Sequence, residues 1–252
     1  MLKVGGVNFI NAYPLVKNLD CCDLLLDVPS KLADKLRARE LDLAIISSIE
    51  YAKMYKDLSI VPDLCIGSEN EILSILLISK KPLGEIKTVG YDFSTRSSIV
   101  LLKIILEEIG KNKVYYTEIE PDPYNGLREN DAVLLIGDNA MKFHNFDIDY
   151  KYDLGLEWKI MTGLPFVFAL WAGYSNIDID IFSFKTTYMN NSQNINSLLS
   201  DYENNDYNRN YLQNIVKYEL SSDRIEGMKL FFKKAYNYGF INELPEIRFY
   251  TK

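Results

Sequence analysis

Histidine is nearly absent from this chain: His144 is the only one in 252 residues. Any Ser-His-Asp or Cys-His catalytic arrangement would have to be built on it. It stands in KFHNFD, a loop-like stretch with polar neighbours and no strand-end nucleophile to accompany it, and is read as a surface residue. Cysteine is scarce as well. Cys21, Cys22 and Cys65 are odd in number, two of them are adjacent, and no CxxC spacing occurs. That set excludes a Cys/His zinc site and a disulfide framework and leaves reduced thiols, so no metal is expected. Basic charge is in deficit, with 28 Lys and Arg against 35 Asp and Glu and a formal net charge of −7. Nucleic acid and anionic membranes select basic surfaces and are not expected as partners. A small anion remains admissible, because a pocket can be locally positive on an acidic protein. No apolar run approaches the roughly 18 residues of a membrane helix. Neither GxGxxG nor GxxxxGK[ST] is present, which argues against a phosphate-bearing cofactor, and none is expected. The N-terminus enters a strand pattern by Val4 with one Lys before it and no separate apolar leader, the expectation for a cytoplasmic protein.

What is present is the profile of a globular protein, 48% hydrophobic and 25% charged, long enough for one large domain or two small ones. Apolar runs at 2–9, 24–27, 41–48, 58–67, 71–79, 87–93, 113–119 and 131–140 read as strands. Between them lie helical patterns. SKLADKLRARE has apolar residues at helical spacing, with Ser30 as the expected N-cap. IEYAKMY (49–55) looks helical, and SIVLLKIILEEIG (98–110) is a helix closed by Gly110. EPDPYNG reads as a Pro-rich loop. GLPFVFALWAG (163–173) is an extended apolar run whose length suits a segment crossing between two sub-domains. The last third is Asn-rich but keeps apolar residues at helical spacing, and 221–241 is a strongly amphipathic helix. Alternating strands and helices imply an α/β fold with mainly parallel sheets.

Polar residues gather where strands end: Asn11, Ser47 and Ser48, Ser94 to Ser98, and Asp138 with Asn139. In open α/β sheets that edge is where ligands bind. STRSS (94–98) lies between a strand and a helix N-terminus, where free N–H groups and hydroxyls favour an anion and Arg96 adds a charged partner. Its alternative is a helix cap beside a solvated Arg. Capping explains one of Ser47 and Ser48, and the other can face a cleft.

FINAYPL, PSKLADKL, LDLAIISSIEYA, ILSILLIS, DFSTRSSIVLL, LLIGDNAM and DLGLEWKIMTGLPFVFALWA follow one another in this order. Together they resemble the chorismate dehydratase family of the futalosine route to menaquinone, over about residues 4 to 173. The dihydroxynaphthoate synthase of that route shares the fold but carries an N-terminal motif with an essential His, which this chain lacks. The resemblance implies a type 2 periplasmic-binding-protein-like fold, two α/β lobes joined by crossing strands with a ligand cleft between them. Lobe 1 would be residues 1–84 plus 174–252, and lobe 2 would be 85–173, with PFVFALW as the return crossover. It implies loss of water from chorismate to give 3-[(1-carboxyvinyl)oxy]benzoate, with the substrate's enolpyruvyl carboxylate as base. Asn11 and Ser74 would be the catalytic residues. Ser47, Ser48, Ser94, Arg96, Ser97, Ser98, Asp138 and Asn139 would bind a dianionic, chorismate-like small molecule. The chain departs from the family pattern at Asn70-Glu71, at Asn139 and in Phe9-Ile10-Asn11. A non-catalytic small-anion receptor of the same fold, another futalosine-route enzyme and a regulatory ligand-binding domain are the competing readings.

Overall fold

The computed structural model describes residues 1–110 and 113–251. The chain opens with β1 (Lys3–Val7), α1 (Tyr13–Val16), β2 (Asp23–Asp27), α2 (Pro29–Arg37), β3 (Leu43–Ser47), α3 (Ser48–Met54) and β4 (Leu58–Ser68). It continues with β5 (Ile75–Ser79), β6 (Thr88–Tyr91), α4 (Ser97–Ile109), β7 (Tyr115–Glu118), α5 (Pro123–Glu129), β8 (Ala132–Ile136), α6 (Gly137–Lys142), β9 (Tyr150–Asp153) and α7 (Leu154–Thr162). It ends with β10 (Phe166–Tyr174), α8 (Ile181–Gln193), α9 (Ile195–Leu198), α10 (Asp206–Asn210), β11 (Lys217–Glu219) and α11 (Ser222–Asn237).

The strands form two sheets, in the orders β11-β4-β10-β3-β1-β2 and β7-β6-β8-β5-β9. The expectation of mainly parallel sheets needs correction. Only β1–β2, β1–β3, β6–β7 and β6–β8 are parallel among the described pairs. The pairings of β10 with β3 and β4, of β11 with β4, and of β5 with β8 and β9 are antiparallel. The reason is topological. Each sheet receives strands that arrive from the other, and these run against its βα units. The chain crosses between sheets at 69–74 and at 163–165, since β5 pairs in the second sheet and β10 in the first. By sheet membership the passages fall before residue 84 and before residue 173, and PFVFALW is a central strand of the first sheet instead of the crossing itself.

Burial follows the pleat. In β5, Leu77 joins the main core while Leu76 and Ile78 join a smaller cluster on the opposite face. In β8, Ala132 and Leu134 face the main core, and Val133 and Leu135 face the other side. The second sheet is therefore covered on both faces, which is why its strands read as unbroken apolar runs. Helix α4 is apolar nearly all round because it packs against α3, α7 and α11.

Three local readings are revised. Ser30 is not the cap of α2: the helix begins at Pro29, Val28 occupies the N-cap, and the buried Ser30 hydroxyl has no hydrogen-bond partner. Pro at the first helical position needs no N–H there. EPDPYNG is not a plain loop, because Asp122 accepts from the N–H groups of Tyr124 and Asn125 and starts α5. The short strand β9 was hidden in a polar stretch; it pairs at the edge of its sheet, with Tyr150 and Lys151 exposed and Tyr152 and Asp153 half-buried.

The family-like motifs are largely structural. Trp158 is buried, packs against Phe166 at 5.2 Å and donates its indole N–H to the Pro165 carbonyl at 3.2 Å. Gly163 closes α7 with φ +73, a conformation that suits glycine. Tyr51 donates to the Glu246 carbonyl and accepts from the Arg248 N–H, tying down the C-terminal segment. Glu50, only 2% exposed, accepts from Arg37 Nη2 at 2.5 Å and Lys53 Nζ at 2.9 Å. Burial alone would raise the Glu50 pKa, but the two cations outweigh it and hold it below its usual value. A depressed carboxyl pKa stabilises the fold above the unfolded value of roughly 4.3, and that contribution is lost as pH falls through the folded value. Glu50→Gln should lower stability at neutral pH by about 1 kcal/mol, since both cations are half exposed. In denaturant melts the gap to the parent should close below about pH 4; a gap that stays constant with pH would assign the loss to packing.

Candidate active site

The carboxyl ends of β1 and β3 meet the loop after β6 and the start of α6 across a small cavity of about 70 Å³. Asn11 and Ser47 face it from the first sheet, and Ser94, Arg96, Ser97 and Ser98 face it from the second. Six of the ten residues expected at the site thus line one cavity. Ser48 is fully buried just behind it, with its Oγ 3.1 Å from Ser97 Oγ. Ser97 Oγ also accepts the Ile49 N–H at 2.9 Å, and the Ile10 N–H donates to Asp138 Oδ1 at 3.1 Å. These bonds join the two halves, so the structure describes a closed cleft.

Three of the lining residues carry a buried polar atom with no hydrogen-bond partner, Asn11 Oδ1, Ser47 Oγ and Arg96 Nε, and Ser74 Oγ and Thr95 Oγ1 are in the same state one residue from the lining Ile75 and Ser94. Buried polar groups are normally paired, and an unpaired one in a native site calls for a reason. Arg96 forms only a long 3.5 Å ion pair with Asp34, through Nη2. Its Nε, with the N-terminus of the thirteen-residue α4 beside it, makes this end of the cleft attractive to an anion.

The other end is uncharged. Asn11 follows β1 in a single 3₁₀ turn (Ile10–Ala12), and its carbonyl accepts from Tyr218 Oη at 2.9 Å, which fixes its backbone. Ser74 follows Leu73, a left-handed residue with φ +61. The Asp153 carboxylate holds that turn by accepting the Ile72 N–H at 3.0 Å and the Leu73 N–H at 2.6 Å. Burial raises the Asp153 pKa, and the N–H groups it accepts from act against that rise. Gly137 donates its N–H to the Ser74 carbonyl at 2.7 Å. With φ +60 and the Phe9 ring 2.8 Å from where a Cβ would stand, position 137 admits only glycine.

Ser74, Asp138 and Asn139 do not line this cavity; Ser74 is fully buried beside the lining Ile75. Asp138 faces a separate hollow of about 450 Å³, alongside Tyr202 and Tyr207, and burial raises its pKa. Asn139 is half-buried on α6. A third hollow of about 430 Å³ lies among the C-terminal helices. Neither larger hollow gathers strand carboxyl ends, and their linings hold one unpaired buried atom, Arg224 Nε, against three at the small cavity, which is the better candidate site. Tyr211 was missed by sequence reasoning: it is buried beside Asn11 and Ser74, and nothing in its Asn-rich surroundings signals a polar role. His144 lies outside the cleft, its ring 6.1 Å from that of Tyr207. Among the described residues no three His, Cys, Asp or Glu side chains converge as a metal site requires, and no helix is long and apolar enough to cross a membrane.

Two mixed α/β halves with a polar cleft between them define a periplasmic-binding-protein-like fold. An Archaeoglobus fulgidus protein of known crystal structure is similar at TM-score 0.73 and 15% identity, over 95% of this chain and 98% of that one. A Candida albicans protein, described as having the generic periplasmic binding protein fold, is similar at TM-score 0.62 and 12% identity, over 100% and 98%. The model of a menaquinone biosynthesis family matches residues 2–237, and the chain belongs to that family. A Thermus thermophilus protein named chorismate dehydratase is 30% identical over 67% of this chain and 68% of its own length. One of the same name from Campylobacter jejuni is 33% identical over 64% and 58%.

If Arg96 serves the cleft as an anion partner, Arg96→Ala should weaken binding of a carboxylate ligand by on the order of 1.5–3 kcal/mol, the worth of a charge-assisted hydrogen bond. Calorimetric titration with chorismate reads this directly; unchanged affinity would reduce the turn to a helix cap.

Proposed function

We propose that this chain is a chorismate dehydratase, removing water from chorismate to give 3-[(1-carboxyvinyl)oxy]benzoate. The names of its relatives support the substrate, and one observation about the cleft supports the mechanism. The described residues lining the cavity include an arginine, serines, an asparagine and apolar side chains, but no carboxylate, imidazole, amine or thiol. A protein base is missing where one would be needed. Chorismate can do without it. The hydrogen at ring C3 is acidified by conjugation with the ring carboxylate, and the enolpyruvyl carboxylate lies near enough to take it. The electron pair left at C3 moves into the ring as the C4–O bond breaks, and aromatisation drives the departure. The proton from C3 and the hydroxide from C4 leave as one water.

The protein's share is then orientation and electrostatics. Arg96 and the Ser94–Ser98 turn would hold a carboxylate. Asn11 and Ser74, neutral and unpaired, would hydrogen-bond groups whose charge grows during the elimination. The cavity as described is much smaller than the ~300 Å³ or more typical of ligand sites. Entry would therefore require the halves to part, and the Ser97 and Asp138 contacts across the cleft would open first.

Incubation with chorismate should produce an aromatic ultraviolet spectrum and a product lighter by one water. Unconsumed chorismate would contradict the proposal. Asn11→Ala should fold normally and lose about 10²–10³-fold in turnover, the effect of removing one transition-state hydrogen bond; near-full activity would remove Asn11 from the chemistry. His144→Gln should stay within a few-fold of the parent. A loss of roughly 10²-fold or more, typical of a positioned general base, would mean that the protein moves the proton.

A further inference from the structure

The hollow of about 430 Å³ among the C-terminal helices has no part in the proposed reaction. Its volume lies in the range of small-molecule sites, roughly 300–1,000 Å³. One wall belongs to the turn Tyr211–Ile215, which is π-helical, a rare form that recurs at functional sites. The strand β11 follows that turn and supplies Lys217, Tyr218 and Glu219, and α11 supplies Arg224. Arg224 is only 7% exposed. Its Nη1 donates to the Glu219 carbonyl and to Ser221 Oγ, both at 3.2 Å, and its Nη2 to Glu69 Oε2 at 3.1 Å. The buried Nε has no partner, and a buried guanidinium N–H calls for an acceptor. Lys217 Nζ donates to the Asn214 carbonyl at 2.6 Å, which uses one of its three hydrogens. Glu69 is shared between Arg224 and Lys159. Among the described residues lining the hollow or paired to that lining, Lys159, Lys217 and Arg224 thus stand against Glu69 and the exposed Glu219, a surplus of positive charge on an acidic chain. Beside these groups the rings of Tyr188 and Tyr218 lie 5.2 Å apart at 42°, and apolar side chains complete the wall.

We propose that this hollow is a second ligand site, taking a small aromatic monocarboxylate. The carboxylate accepts from Arg224 Nε and Lys217 Nζ, and the ring packs against Tyr188 and Tyr218. One surplus positive charge matches one negative charge, and Glu219 opposes a second, so the site selects a monoanion where the cleft selects a dianion. Tyr218 also faces the other way. Its Oη donates to the Asn11 carbonyl at 2.9 Å, and Pro14, just past the Asn11 turn, lines the same hollow. A ligand resting on the Tyr218 ring therefore bears on the backbone that presents Asn11 to the cleft. The inference goes beyond the dehydratase reading and stands or falls without it.

The probe is benzoate, titrated into the isotope-labelled chain carrying Arg96→Ala, which weakens the cleft's own anion contact. Backbone amide shifts should move saturably over 212–219 and at Arg224. Lys217→Met should keep the parental Tm and weaken this binding by roughly ten-fold or more, the loss of one charge-assisted hydrogen bond. Benzyl alcohol, which keeps the ring and lacks the charge, should leave these amides unmoved. The Ala12 amide, which shares its peptide group with the Asn11 carbonyl, should shift along the same saturation curve and cease to do so in Tyr218→Phe. No saturable shift over 212–219, shifts confined to Ser94–Ser98, or equal affinity in Lys217→Met would overturn the site. Equal shifts with benzyl alcohol would overturn the carboxylate as its ligand. An Ala12 shift that persists in Tyr218→Phe would overturn the connection to the cleft.

Discussion

The half-buried carboxylate of Asp153 is the contact on which the cleft depends. It caps α7 by accepting from the N–H groups of Gly155 and Leu156, and it simultaneously accepts from Ile72 and Leu73 in the first passage between the sheets. One side chain therefore fastens the outgoing crossing to the helix that leads into the returning one. Leu73 sits at φ +61, a conformation that costs an ordinary L-residue roughly 1–2 kcal/mol. The carboxylate compensates for it, and the turn so held sets Ser74 and the cavity-lining Ile75 in place. Gly155 completes the fit, because a Cβ there would stand 2.7 Å from the Asn70 carbonyl.

The cleft divides by charge. One end has Arg96 and a helix N-terminus, and the other has neutral hydroxyl and amide groups with Asp138 behind them. A molecule with an anionic group at one end and a hydroxyl-bearing carbon at the other would find both complemented. The polar contacts across the closed cleft run through two serine hydroxyls, two backbone N–H groups and the Asp138 carboxylate, worth about 0.5–1.5 kcal/mol each between neutral groups and roughly 1.5–3 kcal/mol to the carboxylate.

Much of this was legible in the sequence. The strand–helix alternation and the family motifs pointed to a two-lobed binding-protein-like fold, and the structure and its neighbours bear that out. Strand-end polar residues were visible because Asn11, Ser47 and the STRSS turn each interrupt an apolar run. What escaped was set by tertiary context. Sheet polarity depends on which sheet a crossing strand joins, and an apolar run such as 164–172 does not say. The strand β9 escaped because an edge strand need not be apolar. Ser30 looked like a cap because Ser before a helical pattern usually is one, but Pro29 had already started the helix. Tyr211 was illegible for a deeper reason: its polar neighbours, Asn11 and Ser74, come from distant parts of the chain, and no local pattern encodes that.

The most direct test of the account is a crystal structure with 3-[(1-carboxyvinyl)oxy]benzoate bound, since the central claim is about where each end of the ligand lies. The account predicts one carboxylate on Arg96 and the Ser97–Ser98 end of the cleft, with ring C4 directed toward Asn11 and Ser74. A ligand seated instead in the hollow beside Asp138, Tyr202 and Tyr207, or bound in the cleft with its C4 edge away from that cluster, would contradict it.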